Sequence, residues 1–281
     1  MNYRHAFHAG NHADVLKHVA LLTLLDVLKR KDGPFFVLDT HAGRGRYELA
    51  AEASRRTAEA ATGIGRLRAG SALPEVLQRY LEAVACHGDG IYPGSPLLVA
   101  GALREQDRLA ACELQPEEAQ ALKALFARDP RVAVHERDGY AAIRALLPPR
   151  AGTTRFARGL VLIDPPYEAQ DAEYPQVLAA LKEGLQRWPN ATWAVWYPVK
   201  RRRSLLPFFR SAAALPAKSA LVAELLVRAD DSPLRLNGSG MLLLNPPWQF
   251  DKAIAPALPA LRQLLGEHGA STRLEWLREA D

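Results

Sequence analysis

The sequence predicts an α/β protein with a mostly parallel central sheet that is covered by helices on both faces. Short apolar runs alternate with helical stretches along most of the 281 residues, which is the pattern of strands joined by crossover helices. Residues 159–163 are apolar throughout, as is typical of a strand buried on both faces. Hydrophobic residues make up 48% of the chain, which is enough for one large core.

The elements can be placed in order from their patterns. Residues 14–31 predict an amphipathic helix, with Asp14 in its first turn and Gly33-Pro34 after its basic end. Seven strands follow, predicted at 35–39, 109–113, 132–136, 160–164, 192–196, 221–227 and 241–245. Helices separate most of them, predicted at 117–127, 140–147, 174–188 and 202–214. The polar stretches 230–232 and 237–240 connect the last two strands and leave no room for a crossover helix, so we expect these strands to form a C-terminal antiparallel hairpin.

One segment between the first two strands interrupts this alternation. Helices are predicted there at 48–61, 74–85 and 95–103, with glycines and Pro74 between them and no strand signal. We therefore expect a small helical insertion subdomain at 49–92, while residues 1–48 and 93–281 form the core.

Composition narrows the class of protein. The formal net charge of +5 is compatible with a nucleic-acid partner. The two cysteines, Cys86 and Cys112, form no CxxC pair and indicate a reducing compartment. No apolar run reaches membrane-spanning length, and the start lacks the features of a signal peptide. We therefore expect a cytoplasmic protein with no membrane partner and no metal, acting as a monomer.

The most informative motif is Asp164-Pro165-Pro166-Tyr167, which directly follows the apolar run 159–163. The prolines end the strand, since they cannot continue its hydrogen bonding. Asp164 and the Pro165 carbonyl supply acceptors, and Tyr167 supplies a flat face. This combination suits a planar base with an exocyclic amino group. It resembles the catalytic motif of adenine-N6 and related amino methyltransferases.

Acids follow three further predicted strands. Asp39 precedes the glycine loop Gly43-Arg44-Gly45, in the manner of methyltransferase motif I. Glu113 ends the second strand, where an acid can bind both ribose hydroxyls. Asp138 follows the third strand, where an acid could meet an adenine amino group. Any one of these acids could be a solvated loop residue or a helix cap, but their order places all of them at the carboxyl edge of one sheet, where α/β proteins bind ligands.

Across its whole length the chain resembles the bacterial 23S rRNA adenine-N6 methyltransferases of the ribosomal large subunit methyltransferase J family. The matching stretches are 3–18, 38–43, 92–96, 164–167 and 245–248. The resemblance implies a Rossmann-like fold, S-adenosylmethionine as methyl donor, and an exposed or flipped adenine of 23S rRNA as acceptor. The bulky Arg44 between the two glycines departs from the usual loop.

The resemblance also implies roles for individual residues. Asp164 is expected to be catalytic, and Pro165 and Tyr167 complete the corner around the target base. Tyr3, His5 and Lys17 belong to an N-terminal motif that closes over cofactor and substrate. The residues expected around the cofactor are His18, His41, Gly43, Ser95, Glu113, Asp138, Gly139 and Asp164.

Several alternatives stay open. The motif Asn245-Pro246-Pro247-Trp248 has the same chemistry as the catalytic corner, but its late position favours a structural role. The N-terminal histidines fit no common zinc spacing. The basic run 200–203 could bind RNA phosphate or be a solvated helix start. Arginines 55, 56, 66 and 68 of the insertion pose the same question.

The reaction also has rivals. A methyltransferase acting on a protein glutamine or a small-molecule amine would use a similar corner, and a non-catalytic RNA-binding module would keep the fold. A dinucleotide dehydrogenase is disfavoured because neither the glycine loop nor the Pro-Pro corner matches it.

Overall fold

A computed structural model describes residues 9–49, 57–167, 170–233 and 236–280. The described strands are β1 (Phe36–Asp39), β2 (Arg46–Glu48), β3 (Ile91–Pro93), β4 (Arg108–Glu113), β5 (Val132–Glu136), β6 (Arg150–Ala151), β7 (Thr154–Arg155), β8 (Gly159–Ile163), β9 (Thr192–Val199), β10 (Ala220–Leu226), β11 (Gly238–Leu244) and β12 (Ser271–Arg278). The described α-helices are α1 (His12–Lys29), α2 (Thr57–Ala60), α3 (Arg66–Arg68), α4 (Glu75–Ala85), α5 (Ser95–Ala102), α6 (Pro116–Leu125), α7 (Gly139–Leu146), α8 (Gln170–Arg187), α9 (Leu206–Ala213), α10 (Phe250–Ile254) and α11 (Ala257–Leu265).

The central sheet has the strand order β12-β10-β11-β9-β8-β1-β4-β5. The five strands β9, β8, β1, β4 and β5 are parallel to one another. β11 is antiparallel to both β9 and β10. The predicted fold class, with its mostly parallel sheet and C-terminal antiparallel hairpin, is therefore confirmed.

The sheet has one strand more than the seven predicted. β12 pairs antiparallel with β10 at the edge of the sheet. Its sequence alternates Arg273, Leu274, Glu275 and Trp276, which is the period-two pattern of an edge strand with one covered face. The alternation was visible in the sequence, but the charged residues made this segment look less like a strand.

The segment before β4 also contains strand structure that the sequence did not suggest. β2 and β3 pair antiparallel as a small separate sheet, so residue 48 belongs to a strand and not to the helix predicted at 48–61. Ile64, Leu67, Leu77 and Tyr80 of this segment are buried in the same hydrophobic cluster as α1. The predicted division into a core and an insertion at 49–92 stays a prediction, and residues 50–56 lie outside the described ranges.

Helix α1 is buried on nearly all sides, more deeply than an amphipathic surface helix. Asn11 caps it, because its side-chain oxygen accepts from the backbone N–H groups of Ala13 and Asp14. One side of α1 packs on β10 and β11, and α4 and α5 cover other sides. Because α4 and α5 cover α1 on sides that the sheet does not, polar residues of α1, including Lys17 and His18, are buried.

The motif at 245–248 lies at the edge of the sheet opposite the carboxyl ends of the parallel strands. β11 runs antiparallel to β9, so Leu244 pairs with Trp193 near the start of β9. Asn245 has a φ of 51°, its Nδ2 donates to the carbonyls of Pro189 (3.0 Å) and Ala191 (3.3 Å), and its Oδ1 accepts from the Lys218 N–H at 2.6 Å. These bonds tie three loops together and support the structural role predicted for this motif.

We predict that Asn245→Ala destabilises the fold without affecting chemistry. Loss of three hydrogen bonds and the strain of alanine at positive φ together should cost about 2–3 kcal/mol of unfolding free energy. Urea unfolding measures this change. The control is Trp248→Ala, since the Trp248 side chain is 81% exposed and should cost less than about 0.5 kcal/mol. Equal stability of the two variants would contradict the structural role.

Candidate active site

The carboxyl ends of the parallel strands bring the predicted acids to one edge of the sheet. The chain runs outward from β1 to β4 and β5 on one side, and then continues at β8 and β9 on the other. The switch point therefore lies between β1 and β8, where ligands bind in folds of this kind. Asp39 ends β1, and Asp164 follows β8 directly. The two acids thus flank the crevice.

A buried lysine holds Asp164. The Lys17 Nζ lies 2.6 Å from Asp164 Oδ2 and 2.7 Å from Asp14 Oδ1. Only 4% of the Lys17 side chain is exposed. Burial alone would lower the pKa of Lys17, but the two carboxylates outweigh it and raise this pKa well above its usual value. Lys17 is therefore a fixed cation beside the proposed catalytic acid.

Asp39 is fully buried next to this cluster. Its Oδ2 accepts a hydrogen bond from Ser95 Oγ at 2.6 Å, and Ser95 is the first residue of α5. Burial raises the pKa of Asp39 to about 6, and the nearby Asp164 adds to the shift, while Ser95 and Lys17 oppose it. Among the described residues, the site thus holds three carboxylates, those of Asp14, Asp39 and Asp164, beside one buried lysine.

Glu113 fixes the glycine loop after β1. Its carboxylate accepts from the N–H of Gly43 at 2.9 Å and from the N–H of Gln115 at 2.7 Å. Gly43 has a φ of +61°, and a Cβ there would lie 2.4 Å from the Tyr47 hydroxyl, so only glycine fits. Each Glu113 oxygen keeps a further acceptor site, which is the capacity that ribose hydroxyls would use.

The side chain of Arg44, the departure noted in this loop, turns toward helix α6. Its guanidinium donates to both carboxylate oxygens of Glu118, at 2.8 and 2.7 Å. A bidentate pair of this kind has a defined geometry. Arg44 therefore fixes the loop to α6, which is compatible with a ligand-binding role for the neighbouring backbone.

His41, Asp138 and Gly139 meet on the other side of the same loop. The His41 Nδ1 lies 2.8 Å from Thr40 Oγ1, and burial lowers the pKa of His41 to about 4, so its ring is neutral at physiological pH. Asp138 caps α7 by accepting from the Ala141 N–H at 2.7 Å. A Cβ on Gly139 would lie 2.1 Å from the Thr40 carbonyl oxygen, so this close approach requires glycine.

Tyr167 is held rigidly behind Asp164. Its hydroxyl donates to the Trp196 carbonyl at 2.8 Å. Its ring centroid lies 5.5 Å from that of Tyr174 and 5.6 Å from that of Trp196. Tyr167 is therefore part of an aromatic cluster next to the Pro165-Pro166 corner.

The structure places His18 deeper than the other predicted cofactor residues. Its Nδ1 lies 2.8 Å from the Tyr92 hydroxyl, which in turn lies 3.0 Å from the Tyr80 hydroxyl. The residue is fully buried. Two further predicted site residues, Tyr3 and His5, lie outside the described residues.

Sequence reasoning missed the part that Asp14 and Trp196 have in the site. Asp14 was placed only in the first turn of α1, yet it pairs with Lys17 one helical turn on. An acid and a lysine three residues apart in an apolar helix were a usable signal, since buried charges need partners. The contact between Trp196 and Tyr167 joins strand β9 to the loop after the neighbouring strand β8, 29 residues away in the sequence, and had no such signal.

The described ranges contain neither a metal-binding cluster nor a membrane-spanning helix. Among these residues, no group of three or more histidine, cysteine or acidic side chains is arranged to hold a metal ion. No described helix combines the length and apolar character that crossing a bilayer requires.

Known proteins resemble the chain over almost its full length. The family model described as ribosomal RNA large subunit methyltransferase D, RlmJ, matches residues 32–278. A protein of Haemophilus influenzae named ribosomal RNA large subunit methyltransferase J is 41% identical over 283 residues, covering 99% of each chain. A protein of Escherichia coli with the same name is 39% identical over 282 residues, again covering 99% of each.

A solved structure agrees with these sequence comparisons. The crystal structure of a Legionella pneumophila protein superposes with a TM-score of 0.84 at 33% identity, covering 95% of this chain and 98% of that one. The acids at the carboxyl edge of the sheet and the Asp-Pro-Pro-Tyr corner agree with the family that the sequence comparisons indicate. The chain belongs to the RlmJ family of ribosomal RNA large subunit methyltransferases, as the full-length similarity shows.

Proposed function

We propose that the protein transfers a methyl group from S-adenosylmethionine to N6 of an adenine in 23S rRNA, in the bacterial cytoplasm. The observation that carries this proposal is the Asp164 corner. Lys17 holds the carboxylate at the tip of β8, and Tyr167 is fixed beside it. The similarity to RlmJ relatives supports RNA as the acceptor.

The cofactor would lie across the tips of β1, β4 and β5. Glu113 has acceptor capacity for ribose hydroxyls, and Asp138 could accept from an adenine amino group. Gly43 and Gly139 bring backbone close to this edge. Ser95 and His41 are proposed to lie on the cofactor side because both donate to the Asp39 carboxylate. His18 is proposed there because it follows Lys17 directly in the sequence. When bound, S-adenosylmethionine supplies an activated methyl group on a sulfonium.

Asp164 and Pro165 would bind the amino group of the target base. Adenine N6 is a weak nucleophile because its lone pair is delocalised into the ring. Acceptors on its two hydrogens favour a more tetrahedral nitrogen, and the Asp164 carboxylate and Pro165 carbonyl are suited to this. Lys17 occupies Asp164 Oδ2, and no hydrogen bond among the described residues uses Oδ1, which is therefore the oxygen we assign to the base.

Tyr167 would stack on the target base. Stacking of this kind contributes about 1–3 kcal/mol, which helps to offset the few kcal/mol needed to remove a base from its stack. The Tyr167 hydroxyl bond to Trp196 and the packing of its ring hold this surface in place before substrate arrives. Lys17, with Tyr3 and His5, is proposed to contact the substrate side of the site.

The acceptor class can be tested directly. The protein is incubated with labelled S-adenosylmethionine in two separate reactions. One contains 23S rRNA that lacks its modifications, and the other contains the proteins of the large subunit. We expect label in the RNA alone. Label in protein would favour the rival acceptor, a protein glutamine, and label in neither despite cofactor binding would favour a small-molecule amine or a non-catalytic role.

Asp164→Ala should abolish catalysis while the protein still binds cofactor. We expect transfer to fall by roughly 10²–10⁴-fold, the contribution typical of a positioned acid or base. The buried Lys17 keeps Asp14 as its partner, so the fold should persist. Single-turnover transfer and calorimetric cofactor binding measure the two effects. Asp251→Asn, at the opposite edge of the sheet, is the control; wild-type turnover in Asp164→Ala would refute the assignment.

Glu113→Ala should weaken cofactor binding. It removes the acceptor for the Gly43 N–H as well as the proposed ribose contacts, and hydrogen bonds to a charged group contribute about 1.5–3 kcal/mol. We therefore expect the Kd for S-adenosylmethionine to rise about 10–100-fold. Glu117→Ala, which removes an exposed acid from the first turn of α6, should change the Kd far less. Equal affinities for wild type and Glu113→Ala would exclude Glu113 from the site.

Asp39→Asn should change how stability depends on pH. The folded-state pKa of about 6 exceeds the ordinary value of 3.8, so the folded protein holds this proton more tightly. Stability from this group is full below about pH 4 and is lost as the pH rises through 6, for a total of about 3 kcal/mol. The asparagine of the variant does not titrate, so the variant does not lose this stability. In urea unfolding, the unfolding free energy of the variant minus that of wild type should therefore increase from pH 4.5 to 7. A pH-independent difference would contradict the assignment.

A further inference from the structure

The four consecutive basic residues 200–203 lie at the same edge of the sheet as Asp164. β8 and β9 are parallel, and Ile163 pairs with Val195, so Asp164 is level with Trp196. Lys200 comes four residues later, directly after the end of β9. At about 3.3 Å per strand residue, the basic turn begins roughly 13 Å beyond the level of Asp164 along the strand direction.

Arg202 serves as the anchor of this turn. Its Nε donates to Glu224 Oε2 at 2.7 Å, its Nη1 donates to Ser271 Oγ at 3.1 Å, and its backbone N–H donates to Asp230 Oδ1 at 2.7 Å. Glu224 is fully buried in β10 and also accepts from the Tyr197 hydroxyl at 3.0 Å. The Arg202 side chain is therefore committed to the protein, and the turn it belongs to is fixed.

The other three basic side chains of the run are free for a ligand. Lys200, Arg201 and Arg203 are exposed. Within the described ranges the ammonium and guanidinium groups of these three residues take part in no ion pair and no hydrogen bond. The backbone around them is held, since the N–H and the hydroxyl of Ser204 both donate to the Arg201 carbonyl. Three unpaired cations thus extend from a rigid turn beside the site.

We propose that Lys200, Arg201 and Arg203 bind phosphates of the RNA strand that flanks the target adenine. This inference rests on the proposed function, since it concerns the same substrate. A strand in a stacked duplex advances about 3.4 Å per nucleotide and a more extended strand advances further, so a phosphate within about four nucleotides of the target would meet this turn. An enzyme that removes a base from its stack must hold the flanking backbone, and basic side chains do this without reading sequence.

The test is the salt dependence of methyl transfer to naked 23S rRNA. The variant is Lys200→Gln/Arg201→Gln/Arg203→Gln, which keeps the Arg202 anchor. Each phosphate contact contributes about 0.7 to the slope of log affinity against log salt for a single strand. The triple variant should therefore have a slope about 2 smaller in kcat/KM, with KM raised at least about tenfold near physiological salt. Its kcat and its affinity for S-adenosylmethionine should stay within about twofold of wild type, because these side chains do not touch the reacting atoms.

A matched control removes the same charge elsewhere. Arg30, Lys218 and Lys252 are exposed near the Asn245 loop, at the opposite edge of the sheet. Their triple glutamine variant should keep the wild-type slope and KM. Equal effects of the two triple variants would mean that only net charge matters, and would overturn the inference.

The remaining outcomes separate this inference from the proposed function. If the wild-type protein transfers no methyl to RNA, the proposed function fails, and the inference fails with it. If the wild type methylates RNA and the triple variant keeps its slope and KM, only the phosphate site is refuted. A defect seen with ribosomal particles but not with naked rRNA would assign the turn to a protein partner, and would equally refute it.

Discussion

The ion cluster of Lys17 with Asp14 and Asp164 is the interaction on which the site depends. A buried charge is costly to desolvate, and breaking a buried pair leaves an uncompensated charge that costs several kcal/mol. Here one ammonium contacts two carboxylates at 2.6 and 2.7 Å. The cluster joins helix α1 to the tip of β8, so the proposed catalytic acid is positioned by the core of the protein. Buried ion pairs add little net stability, and the role we propose for this one is to position Asp164.

The balance of charge at this edge explains several other features. Burial and the nearby Asp164 raise the pKa of Asp39 to about 6, because Lys17 only partly offsets them. Keeping a buried carboxylate here lowers the stability of the fold at neutral pH, a cost that is common in binding sites. Outside the crevice the sign of the charge reverses, with Lys200, Arg201 and Arg203 exposed on the turn after β9. A negative interior suited to the proposed amino group and sulfonium thus adjoins a positive rim suited to a polyanion.

Sequence patterns predicted the sheet and the order of acids along its edge, because buried strands are continuous apolar runs and their carboxyl ends meet at one edge. The structural role of Asn245 was predictable from its position in the C-terminal hairpin. The pairing of Lys17 with Asp164 was not, since 147 residues separate them and only the packing of α1 on the sheet brings them together. The edge strand β12 and the small β2–β3 sheet were missed because short or charged strands carry weak signals.

The identity of the methylated nucleoside tests the central claim, that the Asp164 corner acts on an exocyclic amino group of adenine. Unmodified 23S rRNA is methylated by the protein with labelled S-adenosylmethionine, digested to nucleosides and separated by chromatography. The account predicts that the label co-migrates with N6-methyladenosine. Label in a ring-carbon-methylated base or in a 2′-O-methyl ribose would contradict it, because neither acceptor needs the two hydrogen-bond acceptors of this corner.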